Sequence, residues 1–211
     1  FIADASHELK TPLAIIMASA DSLESENVKS KYLDNIKNES ERMNKLITSL
    51  LDLSKLENVI DMSDYSLNNL SKIVEKNCLT FEGIAYEKGI LIDMNITDNI
   101  YFKCNSFEIS EVMAILIDNA IKHSYENTKI LVNLSKKKDL IVLEVINQGD
   151  EIPKDECEKI FERFYRRDKS RNRNSNRYGL GLAILKNIVN NHKGRVSVFS
   201  NNGYTTFKVF F

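Results

Sequence analysis

"ASHELKTPLAII", residues 5–16, stands at the head of a long helical pattern. At about 100° per residue, Leu9, Leu13 and Ile16 form one apolar stripe. His7 falls nearly opposite that stripe, Glu8 adjoins it, and Thr11 lies one turn on along His7's own face. The imidazole is therefore expected in solvent. A neutral imidazole is a competent nucleophile, because one ring nitrogen keeps its lone pair while the other holds the proton. A neighbouring carboxylate can orient that proton or accept it during attack. Pro12 loosens the helical ladder just past this turn and permits a bend. A His–Glu pair taken alone reads first as a solvated helix face beside a kink, and the rest of the chain must overturn that.

The stripe continues through Ala20 and Leu23 at four–three spacing, the seam of a coiled coil. A polar stretch, Glu24 to Lys31, interrupts it. The pattern resumes with Tyr32, Ile36, Met43, Leu46, Leu50 and Leu53, thickened by Leu33 and Ile47. Residues 1–57 hold one proline and no glycine. This pattern predicts two long helices joined by a short turn. Two helices cannot bury both stripes by themselves, so a homodimer closing a four-helix bundle is expected. The helical pattern is already running at Phe1 with no start signal, and the chain is read as a fragment of a longer protein.

The 29 Lys and Arg balance 30 Asp and Glu. No global field recruits nucleic acid or an anionic membrane, so neither nucleic-acid binding nor direct membrane contact is expected. Cys78, Cys104 and Cys157 are widely spaced, with no CxxC pair, as in reduced cytosolic thiols. No apolar run approaches the ~20 residues that span a bilayer.

Residues 58–66 lose the helical period and read as a linker, which divides the chain into a hairpin, 1–62, and a second domain, 63–211. In the second domain the pattern predicts a helix over Leu67–Glu87, a strand over Ile90–Ile96, an extended piece over Ile100–Cys104 and a helix over Phe107–His123. Lys129–Leu134 and Ile141–Asn147 are β-branched-rich runs joined by the turn KKKD, a hairpin signal. A short helix is expected over Lys154–Ile160 and another from Leu180 to His192. Gly194 then sets off two strands, Arg195–Ser200 and Thr205–Phe211, separated by NNG. Helices and adjacent strands without regular β-α-β alternation point to a two-layer α/β sandwich.

Four stretches of this domain carry chemistry. In "EVMAILIDNAIKHS" (111–124), Val112, Ile115, Leu116 and Ala120 form the buried side, and Asn119, Lys122 and His123 are polar neighbours beyond Asp118. An Asn can give one neutral oxygen to Mg²⁺, and Lys122 can meet a phosphate oxygen; a merely polar helix face fits equally well. "VINQGDEIP" (145–153) ends a strand, and Gly149 lets a flat ligand approach backbone closely. In "YGLGLAI" (178–184), Gly179 and Gly181 open an apolar helix whose free N–H groups and dipole favour phosphate, although a helix cap would read the same. Between these last two lies "FERFYRRDKSRNRNSNR" (161–177), too polar to pack, whose position suits a basic lid over phosphates.

In this order the motifs resemble those of the cytoplasmic core of a sensor histidine kinase, over essentially the whole chain. "FIADASHELKTPL" is similar to that family's H-box, "LIDNAIKHS" to its N-box, "VINQGDEIP" to its G1 box, "IFERFYR" to its F-box, "YGLGLAI" to its G2 box and "NGYTTF" to its last glycine-containing segment. The resemblance implies a dimeric phosphoacceptor hairpin followed by an ATP-binding domain of the gyrase–chaperone–kinase type. His7 would take the γ-phosphoryl group of ATP and pass it to an aspartate of a response-regulator receiver domain. Glu8 would be its acid/base partner, and Thr11 would orient water when the regulator is dephosphorylated. Asn119 would hold Mg²⁺. Lys122, Asn147, Gly149, Tyr165, Arg166, Gly179, Leu180, Gly181, Leu182 and Thr206 would line the nucleotide. The fragment would be a cytoplasmic domain of a membrane-anchored sensor. A dimeric signalling scaffold with weak or no catalysis is the alternative.

Three motifs depart from the family pattern. Asn147 stands where a carboxylate is usual and Glu151 where a second glycine is. Ile115 takes the place of the first N-box Asn. The lid lacks its usual glycines, Asn174 to Arg177 standing instead. An Asn oxygen still accepts a hydrogen bond from an adenine amino group, without the charge, so altered rather than absent ATP affinity is expected.

Overall fold

A computed structural model of the chain describes residues 13–23, 31–57, 64–165 and 179–211. Two helices come first, α1 over 13–23 and α2 over Lys31–Glu57. They run antiparallel. Leu13, near the start of α1, packs with Ile47 and Leu51, far along α2, while Asp21 late in α1 pairs with Lys37 early in α2 at 2.6 Å. The expected seam divides between two faces. Among the described side chains of α2, Leu33, Ser40, Ile47 and Leu51 are buried, the first three at heptad spacing, as are Leu13 and Ala20 of α1. Ile36 and Met43 of α2, and Ile16 and Leu23 of α1, stay more than two-fifths exposed. One stripe thus closes the hairpin and the other has no cover among the described residues. The expected turn over Glu24 to Lys31 lies almost wholly outside the described residues.

The second unit contains strands β1 (Ser66–Asn69), β2 (Leu91–Ile96), β3 (Tyr101–Cys104), β4 (Lys129–Lys137), β5 (Leu140–Gln148), β6 (Arg195–Asn201) and β7 (Tyr204–Phe210), with helices α3 (Leu70–Tyr86), α4 (Ser106–His123) and α5 (Gly181–Asn191). A five-stranded sheet has the order β2-β4-β5-β7-β6, and β1 pairs antiparallel with β3 in a separate ribbon. Only β2–β4 is parallel among the pairs of the large sheet. The chain between those two strands crosses over by way of β3 and α4, as a parallel pair requires. The KKKD hairpin forms as expected, with Lys138 at φ 58° between β4 and β5. The NNG turn places Asn202 and Gly203 at φ 53° and 75°, both left-handed, which matches the twist of flanking strands.

Alternation explains the layers. Ile130, Val132 and Leu134 of β4, Ile141, Leu143 and Val145 of β5, and Phe207 and Val209 of β7 all point to one face and are essentially fully buried. They join Leu70 and Val74 of α3, Ile109, Val112, Met113, Leu116 and Ile117 of α4, and Leu185, Ile188 and Val189 of α5 in one core. The result is the two-layer α/β sandwich. Leu50 of α2 packs against the edge of this core, where α2 meets α5.

Three expectations are corrected. The helix expected from Leu67 begins at Leu70, because residues 66–69 are the strand β1. Asn69 then caps α3, its side-chain oxygen accepting from the Lys72 amide at 3.1 Å. The helix expected over Lys154–Ile160 is instead a series of turns ending in a single 3₁₀ turn, Lys159–Phe161. So short a segment cannot offset helix nucleation, and its fixed point is the buried ring of Phe161. On α4, Ile115 is half-buried at the rim, while Met113 and Ile117 complete the buried side.

Candidate functional site

His7, Glu8, Thr11 and Arg166 lie outside the described residues; the other candidate residues fall in the α/β unit. Asn147 is near the end of β5, on the core-facing side, and only 3% exposed. No hydrogen bond joins its carboxamide to another described residue. A carboxamide carries both a donor and an acceptor, and the group fits a planar ligand edge that offers one of each. Across the sheet Asn147 faces Thr205 of β7.

Gly149 follows two residues later. A Cβ there would come within 1.8 Å of the His123 carbonyl oxygen, so any side chain would push β5 away from the end of α4. The two segments are joined by a bridge between Ser124 and Gly149 and by the Tyr125 amide donating to the Gln148 carbonyl at 2.9 Å. The Gly149 amide donates to Gly203 O, and the Gly203 amide donates to Glu151 Oε1 at 2.8 Å. Glu151 thus holds the β6–β7 turn against this loop. Nearby, the Tyr125 hydroxyl donates to Asp150 Oδ1 at 2.8 Å, which raises the phenol's pKa.

Asn119 and Lys122 extend from the last two turns of α4 and are half-buried. Asn119 has no hydrogen-bond partner among the described residues, whereas Lys122 forms an ion pair with Asp118 one turn back. Lys122 therefore reaches a phosphate only by sharing its charge with that carboxylate. Ile115, one turn before Asn119, touches Gly181: a Cβ at Gly181 would lie 3.6 Å from Ile115 Cγ2. The start of α5 is accordingly laid beside the face of α4 that carries Asn119.

The start of α5 is also open. Asn69 caps α3 and Asn105 caps α4, each through its side-chain oxygen, but Leu180 before α5 provides no side-chain cap. Its first amides are left for another acceptor, and the helix dipole favours an anion there. Gly179 at φ 69° makes the preceding turn, and a Cβ there would come within 2.4 Å of Tyr165 O. Leu180 is buried and Leu182 half-buried. The Phe164 amide donates to Gly179 O at 3.1 Å, so the residues on either side of 166–178 are tied at one point. Tyr165 is half-buried there; desolvation and the Glu156 carboxylate raise its phenol pKa.

The fold thus gathers Asn119, Lys122, Asn147, Gly149, Tyr165, Gly179, Leu180, Gly181 and Leu182 around the meeting of β5, α4 and α5. Thr206 is not in that group. It pairs with Ile146 in the ladder, which sets it on the outer face of the sheet. Thr205, which faces Asn147, is the threonine of the site face; it is 5% exposed and its hydroxyl lies 2.8 Å from Ser200 Oγ. Counting back two from the buried Phe207 finds Thr205, but that this face of β7 meets Asn147 is fixed only by the pairing of β5 with β7.

Residues 104–211 match the family model described as histidine kinase-, DNA gyrase B- and HSP90-like ATPase, and residues 1–59 match the His Kinase A (phospho-acceptor) domain. The sensor protein DltS of Streptococcus agalactiae serotype III is 35% identical over 209 residues, covering 99% of this chain and 53% of that protein. The sensor histidine kinase WalK of Bacillus subtilis is 33% identical over 222 residues, 98% of this chain and 35% of its own length. The chain therefore spans about half or less of these curated relatives. Full-length ShkA, solved in complex with AMPPNP, superposes with a TM-score of 0.81 at 22% identity, covering 99% of this chain and 44% of that one. AdeS of Acinetobacter baumannii gives a TM-score of 0.69 at 24% identity, covering 97% and 96%.

Proposed function

This chain belongs to the two-component sensor histidine kinase family, and we propose that it moves the γ-phosphoryl group of ATP to His7 and then to an aspartate of a response-regulator receiver domain. The observation that carries this reading is the convergence of Asn147, Gly149, Asn119 and the uncapped start of α5 in an ATP-binding domain whose partner hairpin carries the His7–Glu8–Thr11 motif.

The residues fit an adenine nucleotide. The buried Asn147 carboxamide can accept from the exocyclic amino group and donate to the adjacent ring nitrogen. Gly149 leaves that edge unobstructed by a side chain, and Thr205 completes the floor. The amides at the start of α5 suit the phosphates, and Tyr165, Arg166 and Lys122 would close around them. Asn119 would give its carboxamide oxygen to Mg²⁺, an ion that neutralises charge on the β- and γ-phosphate oxygens when bound.

Phosphoryl transfer then needs positioning more than new bonds. The lone pair of one His7 ring nitrogen attacks the γ-phosphorus as the bond from that phosphorus to the β–γ bridging oxygen breaks, and ADP departs with the electron pair. The imidazole gives up its other ring proton, which Glu8 would hold or accept. Thr11, on His7's face, would orient a water that hydrolyses the regulator's aspartyl phosphate and releases inorganic phosphate. The exposed stripe of Ile16, Leu23, Ile36 and Met43 supports a homodimer with a four-helix bundle. No helix among the described residues is long and apolar enough to cross a membrane; a cytoplasmic position beneath an anchored sensor is part of the proposal. We also propose the domain limits 1–62 and 63–211.

The test is incubation of the full chain with γ-labelled ATP and Mg²⁺. An acid-labile, base-stable label that mass spectrometry maps to residue 7 is the expected result. Steady release of inorganic phosphate with no protein-bound label would overturn it in favour of a hydrolytic ATPase.

A further inference from the structure

Tyr65 is the last residue before β1, and the chain reaches it from the helical hairpin through residues 58–63. Its ring stacks on His192 with centroids 4.6 Å apart. Its hydroxyl donates to Glu108 Oε2 at 3.4 Å and lies 3.4 Å from His192 Nδ1. His192 ends α5 and its side chain is completely enclosed. The Asn105 backbone amide donates to His192 Nε2 at 3.2 Å, which leaves the ring proton on Nδ1, 2.8 Å from the Ile188 carbonyl that accepts it. Phe102 of β3 and Phe211 at the chain end close the remaining sides, at 6.0 and 6.2 Å between ring centroids. The start of α4, the end of α5, β3 and the C-terminus are thus gathered around one neutral imidazole, and Tyr65 covers it.

We propose that Tyr65, seated on His192, is a positioning residue for phosphoryl transfer, fixing the point at which the tether from α2 enters the ATP-binding domain. The inference rests on the kinase reading above. From Glu57 to Tyr65 the chain takes eight steps, a reach of at most about 27 Å at about 3.4 Å per residue. Once α2 leaves its contact with α5, the next restraint along the chain beyond Tyr65 is the β1–β3 ribbon, four residues long. Two-stranded ribbons of that length are marginal alone. Released from His192, the tether gains the residues that fray from β1, up to about thirteen steps to Leu70, whose amide donates to Ile100 O. Effective concentration falls roughly as the −3/2 power of tether length, a loss of about twofold from length alone. Loss of orientation adds to that figure.

The nucleotide residues lie at the other end of α4 and at the other end of α5, so ATP binding is expected to be indifferent to Tyr65. In the full chain, Tyr65→Ala should speed amide hydrogen exchange at residues 66–68, lower kcat for labelling at least about twofold, and leave nucleotide affinity within about twofold. Tyr65→Phe keeps the stacked ring and should restore both the slow exchange and most of kcat. Unchanged exchange in Tyr65→Ala overturns the anchor. Faster exchange with unchanged kcat overturns its positioning role, and a fall in nucleotide affinity parallel to kcat would mark Tyr65 as structural only. A wild-type chain that never labels His7 defeats the kinase reading instead, while the exchange measurement still decides the anchor.

Discussion

The two halves of the molecule solve burial differently. In the α/β unit each apolar side of α4, α5, β4 and β5 finds a complement within the chain, and the core residues are 0–3% exposed almost throughout. In the hairpin one stripe closes on itself through Leu13, Ile47 and Leu51, while Ile16, Leu23, Ile36 and Met43 remain on the surface. The first half is complete as a monomer, and the second keeps an apolar face in reserve. On the proposed reading, a phosphoryl acceptor approached by a nucleotide-holding body would benefit from that division: a self-contained site on one side of a tether and a shared helical bundle on the other.

Paired substitutions separate the two. Leu116→Ala, in the middle of α4, should destabilise the α/β unit by about 3 kcal/mol from lost burial and a residual cavity, read by denaturant titration. Ile36→Ser should leave that transition within about 0.5 kcal/mol, as expected for an exposed site, and should instead weaken self-association in sedimentation. Equal effects in both assays would erase the distinction. Next in size, Gly149→Ala drives a methyl group into the His123 carbonyl. It should cost about 1–3 kcal/mol as β5 and α4 separate, with loss of nucleotide binding in calorimetry. Asn147→Ala removes hydrogen bonds from a preformed site and should weaken ATP by about tenfold, equivalent to about 1.4 kcal/mol.

The smallest effect is a pH dependence. Burial lowers the His192 pKa from its ordinary 6.5. The folded α/β unit therefore resists a proton that the unfolded chain accepts, and stability rises with pH wherever the unfolded state binds more protons. The contribution is complete above about pH 6.5 and is lost as pH falls toward the folded value. Glu144, whose pKa is lowered chiefly by its hydrogen bond to Lys208, adds a separate loss below its ordinary 4.5. A denaturant midpoint that declines from pH 7 to 5.5 in the native chain, and less so in His192→Phe, is the expected result.

Much of this architecture is legible in the sequence for identifiable reasons. The hairpin follows from heptad spacing, β4–β5 from two β-branched runs around KKKD, and the start of α5 from the Gly179–Gly181 pair. β1 escapes because SLNN has no hydrophobic alternation; β3 holds it, with Asn68 Nδ2 donating to Cys104 O at 2.9 Å. That Thr205 and not Thr206 faces Asn147 depends on the register of β7 with β5, a long-range pairing with no local signal. The Tyr65–His192 stack joins residues 127 positions apart, yet half of it had a local signal. His192 stands four residues after Ile188 and three after Val189, on the buried stripe of α5.

One variant, His7→Gln, carries the decisive pair of readings: nucleotide affinity by calorimetry and acid-labile label from γ-labelled ATP. With acceptor and nucleotide site on opposite sides of the tether, affinity should stay within about twofold, or about 0.4 kcal/mol, while the label disappears. A variant that still takes up acid-labile phosphate, or one that no longer binds nucleotide, would contradict it.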